Sequence, residues 1–114
     1  MADSPLVRDL LRMLDPDGVL SEPEDLLVYE CDGLALFRAT PEAVVLPRST
    51  EQVAGVVRFC AARGVPIVAR GAGTGLSGGA TPAPGGIVLE LARMTRILDV
   101  DVEDRTAHVE TGLI

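Results

Sequence analysis

Five glycines fall within nine positions at Gly71-Ala-Gly-Thr-Gly-Leu-Ser-Gly-Gly79, with hydroxyls at Thr74 and Ser77. A short apolar run, Ile67-Val-Ala69, leads into them through Arg70, and seven of the chain's twelve glycines lie between residues 65 and 86. Glycine loses more backbone entropy on ordering than any other residue, so this density needs a reason. One reading is a flexible surface excursion. The other is a backbone that takes positive φ angles and comes very close to a ligand. Concave runs of main-chain N–H groups bind anions, phosphates above all, and the two hydroxyls suit phosphate oxygens.

Charge favours the second reading. The net charge of −7 argues against nucleic acid as a general partner. Its distribution is uneven: residues 1 to 32 hold nine acids and two arginines, whereas residues 65 to 98 hold only Glu90 against Arg70, Arg93 and Arg96. The glycines therefore sit in a locally basic stretch. Arg70 serves them through its charge or simply packs at the strand end; both roles stay open.

Other reactive side chains are few. His108, the one histidine, falls on a strand near the chain end and reads as structural or surface-facing. Cys60 fits the apolar face of a helix, a core thiol. Cys31 has no basic neighbour or helix N-terminus to lower its pKa. The cysteines show neither metal spacing nor a pairing pattern, so they read as reduced thiols in a cytoplasmic protein with no metal site. No side chain stands out as a general base, and no catalytic residue is assigned.

Gly73-Thr-Gly75-Leu-Ser-Gly78 is a literal G-x-G-x-x-G, the pattern of a Rossmann dinucleotide site. In that unit the glycines open a helix whose N-terminus holds the pyrophosphate. Here Gly79, Pro82, Pro84, Gly85 and Gly86 follow, and no helix starts among them. A Walker A loop fails too, because no Gly-Lys-Ser/Thr follows.

The elements that position the loop are legible in order. Ser4-Pro5 with Leu6, Val7, Leu10, Leu11 and Leu14 predicts a Ser-capped helix over about 5 to 14, stopped at Asp15-Pro-Asp-Gly18. A short turn covers Glu24 to Val28, and residues 29 to 42 read as connecting loop. Ala43 to Leu46 is a buried-type strand closed by Pro47. Ser49-Thr-Glu-Gln52 fits a capping box, and Val53, Val56, Val57, Cys60 and Ala61 share one helical face. Gly64 ends that helix, and Ile67 to Ala69 is the next strand. This strand–helix–strand unit predicts parallel strands with a right-handed crossover. Residues 86 to 91 form a further strand; 96 to 102 and 105 to 111 alternate and predict a hairpin. The fold class is α+β, a strand–helix–strand unit plus a mixed sheet, with 1–42 as a helical and loop extension and 43–114 as the regular part. The glycine loop starts at a strand's C-terminal end, where open α/β sheets place ligands.

At 114 residues and 47% apolar composition the chain makes one globular domain at most. No apolar run approaches the ~18 residues of a membrane span, and Met1-Ala-Asp-Ser-Pro-Leu6 has no secretory-signal pattern.

Three stretches carry a family resemblance: Val45-Leu-Pro-Arg-Ser-Thr-Glu-Gln-Val53, the run from Arg63 to Gly79, and Gly86-Ile-Val-Leu-Glu-Leu-Ala-Arg-Met94. With Tyr29-Glu-Cys-Asp-Gly33 upstream, residues 29 to 112 resemble the FAD-binding domain of PCMH-type (vanillyl-alcohol oxidase family) flavoproteins. Within that family they are most similar to the branch of glycolate oxidase flavoprotein subunits and FAD-linked D-lactate and D-2-hydroxyglutarate dehydrogenases. The resemblance implies that the amides of Gly71, Ala72, Gly73, Thr74, Gly75 and Leu76 wrap the FAD pyrophosphate. Ser77, Gly78 and Gly79 would continue toward the ribityl and flavin side, Pro47 would lie near the adenosine end, and Arg70 would assist through charge. Several family members with covalent FAD carry His where this chain has Thr74, so the resemblance implies noncovalent FAD.

By the same resemblance the reaction is oxidation of a 2-hydroxy acid by hydride transfer to flavin, with an iron–sulfur or second flavin-bearing subunit as partner. Peripheral membrane association through the electron acceptor belongs to that picture. The family continues past residue 114, usually with a Pro-Gly pair where this chain reads Thr111-Gly112, so the chain is expected to be the N-terminal half of such a domain. A non-catalytic nucleotide- or phosphate-binding module is the alternative.

Overall fold

The computed structural model describes residues 4–114; residues 1–3, on which the start of the expected extension and the signal-peptide reading fall, lie outside the described residues. In chain order the elements are helix α1 (Pro5–Met13), strand β1 (Val19–Leu20), helix α2 (Pro23–Leu26), strand β2 (Ala43–Val45), helix α3 (Thr50–Arg63) and strands β3 (Ile67–Arg70), β4 (Ile87–Glu90), β5 (Ile97–Asp101) and β6 (Thr106–Val109). Short 3-10 turns at Pro16–Gly18 and Leu27–Tyr29 follow α1 and α2.

The α+β class and the mixed sheet form as expected, and the structure adds the strand order, on which the sequence pattern is silent. The four-stranded sheet has the order β1-β2-β4-β3. Strands β2 and β3 are parallel, as the strand–helix–strand pattern predicts, but β4 is inserted between them and pairs with both. Being covered on both faces, β4 reads Ile-Val-Leu-Glu without alternation, and all four residues are buried. Gly86 permits the insertion: a Cβ there would lie 2.7 Å from the Pro66 carbonyl oxygen. The Ile87 amide donates to that oxygen at 2.9 Å.

The mixed character comes from β1, which runs antiparallel to β2 and is too short to announce itself by periodicity. The hairpin β5–β6 forms as predicted, yet as a separate two-stranded sheet with a register irregularity between Ile97 and Asp99.

Alternating residues build two cores. Val7, Leu10 and Leu14 of α1 and its C-cap, with Val56 and Cys60 of α3, pack on Ala43, Val45, Ile87 and Leu89. Val44 and Val88, directly paired, face the other way onto Leu26. The sheet is thus a middle layer, which brings the C-terminal ends of β2, β4 and β3 to one edge.

Two local expectations are corrected. Ser4 stands at the N-cap of α1 but makes no side-chain cap; its hydroxyl donates to the Glu42 carboxylate at 2.5 Å. In α3, Ser49 Oγ accepts from the Gln52 amide at 3.2 Å as a capping box requires. Gln52 Oε1, however, accepts from the Arg48 amide at 2.7 Å, one residue before the cap. The buried face of α3 is also narrower than its periodicity. Val56 and Cys60 are fully buried, while Val57 and Ala61 are exposed. Gly64 ends the helix with φ +64, and the Val65 amide closes onto the Cys60 carbonyl at 2.9 Å.

Candidate functional site

Arg70 ends β3 opposite Glu90, its register partner on β4, and both side chains are buried. Their Nε and Oε2 atoms stand 3.7 Å apart. The guanidinium then reaches back to the segment before β2: Nη1 donates to the Cys31 carbonyl at 2.7 Å and Nη2 to that of Val28 at 3.4 Å. It also lies over the Tyr29 ring, 5.3 Å from the centroid. Burial pushes the Glu90 carboxyl above the ordinary glutamate value, against the opposing pull of the Ala92 amide and Arg70. Burial and the nearby Glu90 charge raise the Tyr29 hydroxyl likewise.

The electrostatic expectation is corrected here. The three arginines of the basic stretch all meet carboxylates: Arg70 with Glu90, Arg93 with Asp17 at 3.3 Å, and Arg96 with Glu110 at 2.7 Å. The loop therefore offers an anion its backbone amides rather than unpaired arginine charge. No main-chain amide from Gly71 to Ala80 donates a hydrogen bond to another part of the described chain. No helix follows, so the G-x-G-x-x-G pattern is not a Rossmann turn.

The glycines divide into two kinds. Gly73 and Gly78 have φ of +71 and +75, a conformation that L side chains rarely adopt. Gly71, Gly75 and Gly79 do not, and a Cβ on any of them would meet nothing within 4 Å. Each of the chain's other glycines has a left-handed backbone or a protein atom within that distance of its absent Cβ. Nothing inside the described fold accounts for the missing side chains at 71, 75 and 79. The open space leaves room for a group lying against the backbone, and the residues present fit a phosphate-bearing one held by main-chain amides.

The other expected site residues are placed as follows. Ala72, Thr74, Leu76 and Ser77 are exposed along the same loop, Leu76 to 74%. Pro47 follows β2 at the same sheet edge, two strands away from Arg70, with its ring fully buried. A cleft of about 340 Å³ opens beside Gly71 and Ala72, walled by Ala92, Thr95, Gly112 and Leu113. Sequence reasoning missed Glu90, whose pairing with Arg70 depends on the insertion of β4. His108 lies exposed on β6, in the separate two-stranded sheet rather than the one that carries β3. Among the described residues no cluster of three or more His, Cys, Asp or Glu side chains could hold a metal ion.

Residues 41–114 match a family model described as FAD binding domain. The glycolate oxidase subunit GlcD of Escherichia coli is 46% identical over 95 residues, 83% of this chain and 19% of that protein. The Bacillus subtilis protein of the same name is 37% identical over 92% of this chain and 22% of its own length. D-2-hydroxyglutarate dehydrogenase of Stutzerimonas stutzeri is 36% identical over 100% of this chain and 25% of its own length. The chain thus spans about a fifth to a quarter of these relatives. Among solved structures, p-cresol methylhydroxylase with substrate bound superposes with a TM-score of 0.81 at 32% identity, over 95% of this chain and 22% of that one. An alkyldihydroxyacetonephosphate synthase shares the fold, with a TM-score of 0.86 at 23% identity over 98% of this chain and 24% of that one.

Proposed function

This chain belongs to the FAD-binding domain family, and on that premise we propose that its glycine loop holds the FAD pyrophosphate in an oxidase or dehydrogenase of 2-hydroxy acids. The observation that carries the site is the open space at Gly71, Gly75 and Gly79. The relatives named for glycolate and D-2-hydroxyglutarate support the substrate class.

The loop amides from Gly71 to Leu76 cradle the pyrophosphate without a lysine or arginine at the phosphates, because Arg70 is committed to Glu90 and to main-chain carbonyls. Ser77, Gly78 and Gly79 extend the contact toward the ribityl chain, while Pro47, its ring buried, supports the adenosine end from within the fold. Thr74 offers only a weakly nucleophilic hydroxyl where members with covalent FAD carry a histidine, which supports a cofactor held noncovalently. Bound flavin supplies the hydride acceptor; this chain's residues bind and orient it. The relative from Escherichia coli is named as a subunit, which supports a partner subunit, iron–sulfur or flavin-bearing, that takes the electrons onward to an acceptor at the membrane. The unpaired Cys31 and Cys60 suit a cytoplasmic enzyme.

Purifying the full-length protein tests this reading. It should carry a flavin absorbance that bleaches anaerobically on adding glycolate, D-lactate or D-2-hydroxyglutarate. A colourless protein that takes up no FAD would overturn the cofactor assignment, and a flavin left oxidised by all three acids would overturn the substrate class.

A further inference from the structure

The segment from Val28 to Leu34 reaches the glycine loop from a distance of about forty residues in sequence. It does so at two levels. Below, the Cys31 and Val28 carbonyls hold the Arg70 guanidinium. Above, the Gly33 amide donates to the Gly75 carbonyl at 2.8 Å. The approach is close: a Cβ on Gly33 would lie 2.8 Å from Gly75 O, 2.9 Å from Thr74 O and 2.9 Å from Leu76 Cδ2. Gly33 does not have a left-handed φ, so its missing side chain is explained by this proximity and not by its own backbone conformation. Asp32 shapes the approach. It is buried, and its Oδ1 accepts from the Leu34 amide at 2.8 Å, a side-chain turn that presents the Gly33 amide between them. Leu34 then reaches under Gly78, with Cδ2 3.9 Å from where a Cβ would stand.

We propose that Gly33 is a positioning residue for the cofactor: the Gly33–Gly75 contact, set by the Asp32 turn, fixes the curvature of the Thr74–Leu76 arc and with it the affinity for FAD. The inference rests on the FAD reading above. Fixing the arc before binding means that the loop's ordering entropy is not taken out of the binding energy. On the loop this contact engages a carbonyl, that of Gly75, and so leaves the loop amides free for a ligand. A purely space-filling glycine would make a different prediction: Asp32→Ala, which adds no atoms at the contact, would then leave the loop unchanged.

The test compares the full-length protein with its Gly33→Ala variant by backbone order parameters and by FAD titration. In the unmodified protein, loop amides 74–77 should approach the value of rigid backbone, about 0.85. In Gly33→Ala they should fall below about 0.6, while β4 amides 87–90 keep the rigid value. FAD affinity should fall roughly tenfold or more. Asp32→Ala, which adds no atoms at the contact, should shift the same amides in the same direction and decides the matter if Gly33→Ala does not fold. Unchanged loop order with unchanged FAD affinity would overturn the proposal, as would an equal loss of order in β4. A full-length protein that takes up no FAD counts against the cofactor reading, and the order parameters still decide the role of Gly33.

Discussion

Arg70 fills the space that a side chain on Gly73 would need: a Cβ built there overlaps the guanidinium at Cζ and Nη2 and lies 2.8 Å from Nε. The strand residue and the loop residue three positions on are thus fitted to one another. The fit holds because Glu90 and the Cys31 carbonyl keep the guanidinium in place. Gly73→Ala should therefore both strain a left-handed position and displace a buried ion pair. The expected loss of stability is about 1–3 kcal/mol, read by urea unfolding, together with loss of FAD uptake.

Replacing Arg70 by Met keeps the volume but strips Glu90 of its counter-charge. Breaking a buried pair in this way costs about 3–5 kcal/mol. The pH dependence follows from the direction of the Glu90 shift. Its carboxyl is already raised by burial, and losing Arg70 raises it further. A carboxyl whose folded pKa is raised contributes stability that is full below the ordinary glutamate value and lost as pH rises through the folded one. Arg70→Met should accordingly recover part of its lost stability on acidification, measured as a rise in the urea midpoint relative to neutral pH.

The Arg96–Glu110 bridge should behave in the opposite sense. Hydrogen bonds from the Arg96 side chain and amide lower the Glu110 carboxyl below its ordinary value. Its contribution is then present above the ordinary glutamate range and lost as pH falls through the lowered value. Thermal midpoints of the unmodified chain and Glu110→Gln should differ at neutral pH and converge in acid.

Thr74 leads to a prediction about how the cofactor is attached. Acid precipitation of the flavin-loaded protein should release all of its flavin to the supernatant, leaving a colourless pellet. Retained yellow colour in the pellet would show a covalent link through some other residue.

Much of this site was legible in the residues, and what was hidden follows a pattern. Gly71 to Gly79 stood out because clustered glycine needs a physical reason, and the absence of a following helix separated the loop from a Rossmann turn. Gly64 and the strand-helix-strand run were equally plain, since caps and periodicities are local. The role of Arg70 was not, because its partners Glu90, Cys31 and Val28 come from a neighbouring strand and a distant loop. The same holds for β4: a run of four buried residues shows that it is covered on both faces but not that it enters between β2 and β3. The local excess of arginine misled, since ion pairing with Asp17 and Glu110 is decided in three dimensions. Strand β1, of two residues, is too short for any periodic signal.

The central claim is that the side chains absent at Gly71, Gly75 and Gly79 leave room for the cofactor, and Gly75→Ala tests it most directly. Position 75 is outside the left-handed region, and its Cβ would meet no protein atom within 4 Å. The folded chain should therefore tolerate the methyl, with stability unchanged to within about 1 kcal/mol. FAD binding, measured by calorimetry on the full-length protein, should fall at least about tenfold because the methyl occupies the cofactor's space. FAD binding unchanged in a normally folded Gly75→Ala protein would contradict the account.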